Sequence, residues 1–194
     1  AGDYGLAREK FTLAAERRPN DYLAQYHLGV VQLELDQPLE AQLALERALA
    51  VRRDDRVWTP KILDKLAEAL FRQDRVESLH AFLADVVRKH KTTADYLRQA
   101  DYLAKTGDLD TAQLAFRKAA YFAEPGDAAP YLAVADFYEV INDVPNAIKA
   151  LRHAYYIYPE HPKLPDRFRR FGLVPGPTLR LEPPKPPMLR DKIR

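Results

Sequence analysis

The sequence contains no cysteine among its 194 residues. Disulfide bonds, thiol catalysis and the thiolate ligands of structural zinc sites are therefore excluded. The chain also lacks a run of about 18 apolar residues, the length that a membrane-spanning helix requires. Its seven glycines are scattered and form neither a P-loop nor a G-x-G-x-x-G sequence, so no phosphate-binding loop is predicted.

Histidines and carboxylates show no pattern typical of catalysis or metal binding. None of the five histidines stands in H-E-x-x-H spacing or beside a plausible ligand set: His27, His80, His90, His153 and His161. Most carboxylates alternate with Lys or Arg on predicted helix faces, as solvated surfaces do. We therefore expect no enzymatic activity, no metal site and no cofactor.

Charge is divided unevenly along the chain. Residues 162–194 hold nine Lys or Arg and three Asp or Glu, whereas residues 1–161 hold 21 and 25. A faintly acidic body with a basic tail differs from a nucleic-acid binder, whose basic residues line a folded face. We therefore expect no nucleic-acid partner. We expect a soluble protein, and the sequence leaves open whether it is cytoplasmic or periplasmic.

A short pattern of small and bulky residues recurs along the chain. The pattern Ala-x3-bulky-x2-Ala is found four times, with the first two copies 34 residues apart and the last two 35. The wider middle gap contains a degenerate copy around Leu79, Leu83 and Val86. The four close copies are Ala7/Phe11/Ala14, Ala41/Leu45/Ala48, Ala112/Phe116/Ala119 and Ala147/Leu151/Ala154. Recurrence at this period indicates a repeat architecture.

With the degenerate copy included, the pattern occurs five times, and a second helical pattern precedes every copy after the first by 12 residues. This second pattern lies at Leu28-Gly29, Leu66-Ala67, Gln99-Ala100 and Val134-Ala135. Between the two helices of every unit lies an aspartate that we expect to cap the second helix: Asp36, Asp74, Asp108 and Asp143. Pro38 and Pro145 follow two residues later, in the first helical turn, where a missing N–H is tolerated.

These units resemble tetratricopeptide repeats, in which helix A carries W-x2-L-G-x2-Y and helix B carries A-x3-F-x2-A before a closing proline. Pro19 and Pro159 occupy the closing position. The resemblance implies an all-α fold, an α-solenoid of antiparallel helix pairs over residues 1–172. Its predicted parts are a half repeat (4–21), four repeats (22–55, 56–92, 93–127 and 128–161) and a capping helix (163–171).

The two ends of the array depart from the repeat. Residues 4–19 match helix B with no helix A before it. Either the repeat begins upstream of Ala1, which we expect, or a partner or a second copy supplies the missing helix. In the predicted capping helix Leu164, Phe168 and Phe171 share one face, and Arg167, Arg169 and Arg170 point elsewhere. Residues 173–194 form a basic, proline-rich extended tail, either a linker or a strap along the body.

Residues 56–59 look like an insertion before the second full repeat. Thr59 is the expected helix cap, with Pro60 at the first helical position. The lone tryptophan, Trp58, would then pack on Leu63 as a hydrophobic staple. A binding role for Trp58 remains open, since tryptophan is enriched at the centres of protein interfaces.

The resemblance also implies a function and a binding surface. Tetratricopeptide arrays bind protein segments on the groove lined by their A helices, so we expect a non-catalytic interaction scaffold. The alternatives are a docking or regulatory region of a larger enzyme or secretion or envelope machine, and an array that self-assembles through its unpaired first helix. The implied groove residues are Tyr26, His27, Val30, Lys61, Asp64, Lys65, Glu68, Leu97, Arg98, Asp101, Leu132 and Asp136.

Overall fold

The computed structural model describes residues 3–52 and 55–184, and all regular structure in these ranges is helical. The α-helices are α1 (Tyr4–Arg17), α2 (Tyr22–Glu34), α3 (Pro38–Val51), α4 (Trp58–Arg72), α5 (Val76–His90), α6 (Thr93–Lys105), α7 (Leu109–Tyr121), α8 (Ala129–Val140), α9 (Val144–Ile157) and α10 (Leu164–Arg170). A 3₁₀ turn follows at Pro177–Leu179. The predicted all-α class is confirmed. Among the described residues, no helix has both the length and the apolarity needed to span a bilayer.

The helices group into two compact units, unit 1 within Ala1–Lys89 and unit 2 within His90–Arg194. In unit 1, α2 packs against α1, α3 and α4. In unit 2, α6 packs against α7 and α8, and α9 packs against α8 and α10. Successive helices joined by short turns run antiparallel, so each unit contains helix pairs of the predicted kind.

The small residues of the repeat pattern lie where helices approach one another. Ala41, Ala48, Ala112 and Ala119 are fully buried, as are Ala147 and Ala154. Gly29 of α2 shows how close the approach is, since a Cβ atom there would lie 2.6 Å from Leu45 Cγ. The packing role predicted for these positions is confirmed. The first copy differs, because Ala7, Phe11 and Ala14 of α1 are only half-buried.

The turns between paired helices correct part of the capping prediction. Asp108 and Asp143 do cap α7 and α9, accepting from the backbone N–H groups of Thr111 and Asn146 at 3.2 Å. Asp36 and Asp74 instead have φ near +54° and +55° and end the preceding helix. In the other two turns this left-handed position is held by Gly107 and Asn142. The prediction was wrong for Asp36 and Asp74, because they lie one residue before the cap.

The start of α4 also differs from the prediction. The helix begins at Trp58, and Asp55 accepts from the N–H groups of Val57 and Trp58 at 2.8 Å. These two bonds lower the pKa of the Asp55 carboxyl. Thr59 is buried and donates its hydroxyl to the Arg52 carbonyl at 2.5 Å. Asp55, rather than Thr59, therefore satisfies the first N–H groups of this helix.

The C-terminal helix α10 closes unit 2. Leu164 and Phe168 are fully buried in a cluster with Leu151 and Ala154 of α9, as their shared face predicts. Arg167 was expected to point away from the packed face, but it is only 8% exposed. Its guanidinium donates to Glu139 Oε1 of α8 at 2.6 and 3.1 Å. The prediction for Arg167 was wrong because α8 supplies a carboxylate within the packed region.

Residues 173–184 run along α9, and we call this segment the strap. Arg152 donates from Nε to the Leu179 carbonyl at 3.0 Å, and its own carbonyl accepts from the Leu181 N–H at 3.3 Å. The His153 ring Nδ1 lies 3.0 Å from the Leu181 carbonyl oxygen. Over these residues the tail is a strap rather than a free linker. Residues 185–194, the rest of the predicted tail, lie outside the described residues.

Unit 2 should lose stability in acid through His153. Burial lowers the pKa of its imidazole below the ordinary 6.5, as do the nearby Lys149 and Arg152 charges, although the bond to Leu181 acts to raise it. A histidine kept neutral in the folded state contributes stability above pH 6.5, and that stability is lost as the pH falls below it. We expect the free energy of unfolding of unit 2, measured by urea titration, to fall below that pH.

The matched control for this expectation is His153→Gln, which keeps a polar side chain but cannot titrate. In that variant the acid-induced loss of stability should be much smaller. An identical pH profile of stability in the variant and the wild type would show that His153 does not cause this loss.

Candidate functional site

An aromatic group joins α2 and α4 in unit 1. The ring of Trp58 meets Tyr22 and Tyr26 edge-on, with centroid distances of 5.5 and 5.4 Å. Tyr22 and Tyr26 lie one helical turn apart on α2, so both present their rings to the same side. All three rings are half-buried. Such edge-to-face pairs stabilise a packed site by about 0.5–1.5 kcal/mol beyond the area they bury.

Two cations lie over two of these rings. The Arg52 guanidinium carbon lies 4.3 Å from the Tyr22 ring centroid, and Lys61 Nζ lies 4.6 Å from the Trp58 ring. Both cations are on exposed residues, where a cation–π contact contributes about 0.5–1 kcal/mol. We call these five residues the α2–α4 aromatic cluster. Its half-buried rings and exposed cations can contact an apolar side chain and a carboxylate of one bound segment.

The sequence prediction included Tyr26 and Lys61 from this cluster, and it raised Trp58 as a binding anchor. Tyr22 and Arg52 were not predicted. The i, i+4 spacing of Tyr22 and Tyr26 was a usable signal for one shared helix face. Arg52 gave no comparable signal, because its partner ring belongs to another helix.

His27 and Val30 continue the predicted surface along α2. The His27 ring stacks on Phe11 of α1, with centroids 5.3 Å apart, and also meets Tyr26 edge-on at 5.3 Å. Val30 is half-buried. His27 thus links α1 to the α2–α4 aromatic cluster.

The remaining predicted residues of α4 form a charged row, of which Asp64 is an exposed member. Lys65 Nζ donates to Glu68 at 2.8 Å, and Arg72 also pairs with Glu68. Burial acts to raise the pKa of the Glu68 carboxyl, but Lys65 and Arg72 together hold it below its ordinary value. Arg72 additionally donates to the Leu33 carbonyl of α2 at 2.7 Å. This row therefore ties α4 to the end of α2.

Arg98 of α6, a predicted groove residue, is buried in unit 2. Its Nη1 lies 2.7 Å from Asp95 Oδ1, and the side chains are only 5% and 4% exposed. The second carboxylate oxygen accepts from the Thr92 hydroxyl at 2.5 Å and lies 3.5 Å from His90 Nδ1. The Arg98 guanidinium is thus part of a buried ion pair that holds the start of α6.

The other predicted residues of unit 2 are divided between surface and core. Asp101 is exposed and pairs with Lys105 at 2.6 Å. Asp136 is exposed and lies 2.7 Å from the buried Arg167 guanidinium. Leu97 and Leu132 are half-buried and pack against two different core clusters. The described contacts do not join these residues into one cluster of the kind formed by Tyr26 and Lys61.

A metal site is not indicated by the described residues. Within residues 3–52 and 55–184, no group of three or more His, Asp or Glu side chains is arranged to hold a metal ion. At the α2–α4 aromatic cluster, the rings and cations offer noncovalent contacts to a bound segment.

Comparison with known proteins identifies structural relatives. No protein-family model matches the chain, and no sequence of a curated protein does so either. A crystal structure of MamA superposes with a TM-score of 0.58 at 18% identity, covering 82% of this chain and 91% of MamA. TTC0263, a TPR protein of Thermus thermophilus, has a TM-score of 0.58 at 22% identity, covering 86% and 89% of the two chains.

A third structure is that of YrrB, described as a TPR protein with an unusual peptide-binding site. Its TM-score is 0.54 at 20% identity, and the alignment covers 86% of this chain and 84% of YrrB. At these identities the likeness concerns the fold, and it agrees with the helix pairs, the buried alanines and the turns described above. The chain has the α-solenoid fold of the tetratricopeptide-repeat proteins.

Proposed function

We propose that this protein is a non-catalytic interaction scaffold that binds a partner protein segment on the A-helix face of unit 1. The observation that carries the proposal is the α2–α4 aromatic cluster, where Trp58 packs against two tyrosines and where Arg52 and Lys61 lie over the Tyr22 and Trp58 rings. Trp, Tyr and Arg are the residue types most enriched at binding hot spots. Half-buried rings lose little side-chain entropy on binding, which favours a peptide ligand.

One of the structural neighbours supports the same class of ligand. YrrB is described as having a peptide-binding site, and this chain shares its fold. We extend the proposed surface to the other predicted groove residues of α2 and α4, which are His27, Val30, Asp64, Lys65 and Glu68. Within unit 2, taken by itself, we also propose partner contacts at the predicted groove residues Leu97, Asp101, Leu132 and Asp136. Arg98 would act there only by positioning α6, since its side chain is buried. The proposal keeps the repeat bounds predicted from the sequence, which are 22–55, 56–92, 93–127 and 128–161. It also includes the assembly of a multiprotein complex through binding of the partner segment.

Quantitative affinity capture followed by mass spectrometry tests this proposal. A Trp58→Leu/Lys61→Glu variant removes the central ring and reverses the charge above it. We expect the principal captured partner to fall by about tenfold relative to wild type, as at a binding hot spot. Lys61→Glu alone should give a smaller loss without disturbing packing, because Lys61 is exposed.

The matched control is Arg47→Glu, which makes the same charge change at an exposed residue of α3. Helix α3 carries none of the predicted groove residues, so the captured partner should be retained. Equal capture by wild type, the double variant and the control would contradict the proposed surface.

The two alternatives make different predictions. A docking region of a larger enzyme or secretion or envelope machine requires a longer reading frame that encodes the rest of that protein. A self-assembling array requires a mass that rises with concentration in light scattering and falls when α1 is altered. The scaffold proposal predicts instead that the captured partner is another protein.

A further inference from the structure

Unit 2 contains a cavity of about 660 Å³ on the face formed by α7 and α9, with α8 beneath it. None of the predicted groove residues lines this cavity. Its volume falls within the range of about 300–1,000 Å³ typical of ligand sites. The cavity is thus a candidate binding site independent of the α2–α4 aromatic cluster.

The floor of the cavity is aromatic and well packed. Phe116 and Tyr138 are 5% and 9% exposed, and Tyr131 leans on the His153 ring with centroids 5.6 Å apart. Tyr96 stacks on Phe122 at 5.2 Å, with the ring planes only 9° apart. Burial raises the pKa of the Tyr131 hydroxyl, so this ring stays neutral near pH 7. The floor therefore presents neutral, fixed rings that suit apolar side chains.

The rim of the cavity is cationic. Arg117 and Lys118 of α7 and Lys149 of α9 line it, and all three are exposed. The lining residues include no Asp or Glu. Within the part of the chain that the structure describes, Arg117 and Lys149 form no ion pair, and Lys118 Nζ lies 5.9 Å from the Tyr96 ring. An occupant with carboxylates would supply the charge that this rim lacks.

The strap shows which kind of chain fits this face. Leu179 and Leu181 bond to α9 through their backbones, and Pro184 reaches the lining of the cavity. An extended polypeptide thus already packs beside the site. The chain beyond Pro184 does not complement the rim, since residues 185–194 hold four Lys or Arg and one Asp. A polyanion such as RNA is disfavoured by the net negative charge of residues 1–161.

We propose that this cavity is a second protein-binding site, which takes an extended acidic segment of a partner protein. Apolar side chains of that segment pack on Phe116, Tyr131 and Tyr138. Its Asp or Glu residues pair with Arg117 and Lys149 across the opening. The site would let the scaffold hold two partner segments at once, one on each unit.

Selection from a random-peptide display library on the full chain tests the proposal. Peptides are recovered on wild type after depletion on Arg117→Glu/Lys149→Glu, both exposed substitutions that leave the floor intact. We expect the recovered sequences to combine Asp or Glu with Phe, Leu or Pro. In fluorescence anisotropy, these peptides should bind the charge-reversed variant about tenfold more weakly than wild type, a change of about 1.4 kcal/mol.

Two control variants separate this site from other effects. Lys10→Glu/Arg47→Glu makes the same change in net charge on exposed residues of unit 1 and should leave peptide affinity unchanged. Trp58→Leu/Lys61→Glu alters the α2–α4 aromatic cluster and should also leave it unchanged. If only the Trp58→Leu/Lys61→Glu variant lost affinity, the peptides would bind at the α2–α4 aromatic cluster. That result would overturn the proposal of a second site.

Other occupants of the unit 2 cavity would give different experimental results, and each of these results would overturn the proposal. Recovery of no acidic sequences, or equal affinity for wild type and the Arg117→Glu/Lys149→Glu variant, removes the basis for an acidic ligand. Tighter peptide binding after truncation at Pro184 would make the chain's own tail the occupant. Displacement of the peptides by oligouridylate would indicate RNA. A concentration-dependent mass that Arg117→Glu/Lys149→Glu abolishes would indicate a second copy.

Discussion

Ala112→Arg is expected to lower the free energy of unfolding of unit 2 by about 4 kcal/mol or more. Ala112 is fully buried in a cluster with Ala100, Leu103 and Phe116, where α6 and α7 are in contact. An arginine there must displace packed side chains and leave a guanidinium without a counter-charge. Overpacking alone costs about 1–3 kcal/mol, and a buried unpaired charge adds more. Since domains are stable by only about 5–15 kcal/mol, this loss would remove a large fraction of the stability of unit 2.

Urea unfolding followed by circular dichroism measures this loss. The matched control is Ala94→Arg, which introduces the same side chain at an exposed position of α6. There the change should stay within about 0.5 kcal/mol. Equal stability of Ala112→Arg and Ala94→Arg would contradict the assignment of the repeat alanines as packing residues.

Arg98→Met is expected to destabilise unit 2 by about 3–5 kcal/mol, because it leaves the buried Asp95 carboxylate without its cation. The Arg98 and Asp95 side chains are 5% and 4% exposed, so water cannot replace the lost partner. The same urea experiment on Lys105→Met provides a matched control. Lys105 pairs with Asp101 on the same helix, but both side chains are about half-exposed, at 48% and 54%. That variant should lose less than about 1 kcal/mol.

A double-mutant cycle identifies the cause of the loss. Arg98→Met/Asp95→Asn removes both charges, while the amide introduced in place of the carboxylate can still bond to Thr92. It should be more stable than Arg98→Met alone by about 1–2 kcal/mol. A strictly additive double variant would show that the ion pair contributes nothing beyond the packing of the two side chains.

The sequence was sufficient to predict the packing of the helix pairs. Ala41, Ala112 and Ala147 recur at a period that only a stacked repeat explains, and each is fully buried. The conformation of the turns was harder to predict, because aspartate suits both the left-handed position that ends one helix and the N-cap position that begins the next. Asp36 and Asp108 therefore looked equivalent in sequence, although they occupy neighbouring positions of the turn.

The candidate sites were less accessible to sequence reasoning. Tyr26 and Lys61 followed from their places on A helices, but the Trp58 ring that joins them was predicted to precede α4, whereas that helix begins at Trp58. The burial of Arg98 depends on Asp95, three residues earlier, and this i, i+3 pair was a usable signal. The cavity of unit 2 could not be predicted in this way, because its lining comes from four helices and the strap.

Site-specific photo-crosslinking from position 61 tests the proposed function most directly. A photoreactive phenylalanine analogue replaces Lys61, which is exposed and lies over the Trp58 ring. The same analogue at Arg47 of α3 serves as the control. The scaffold account predicts that position 61 crosslinks to one continuous segment of a partner protein, and that Trp58→Leu abolishes the crosslink. Equal crosslinking from both positions, or a position 61 crosslink that survives Trp58→Leu, would contradict it.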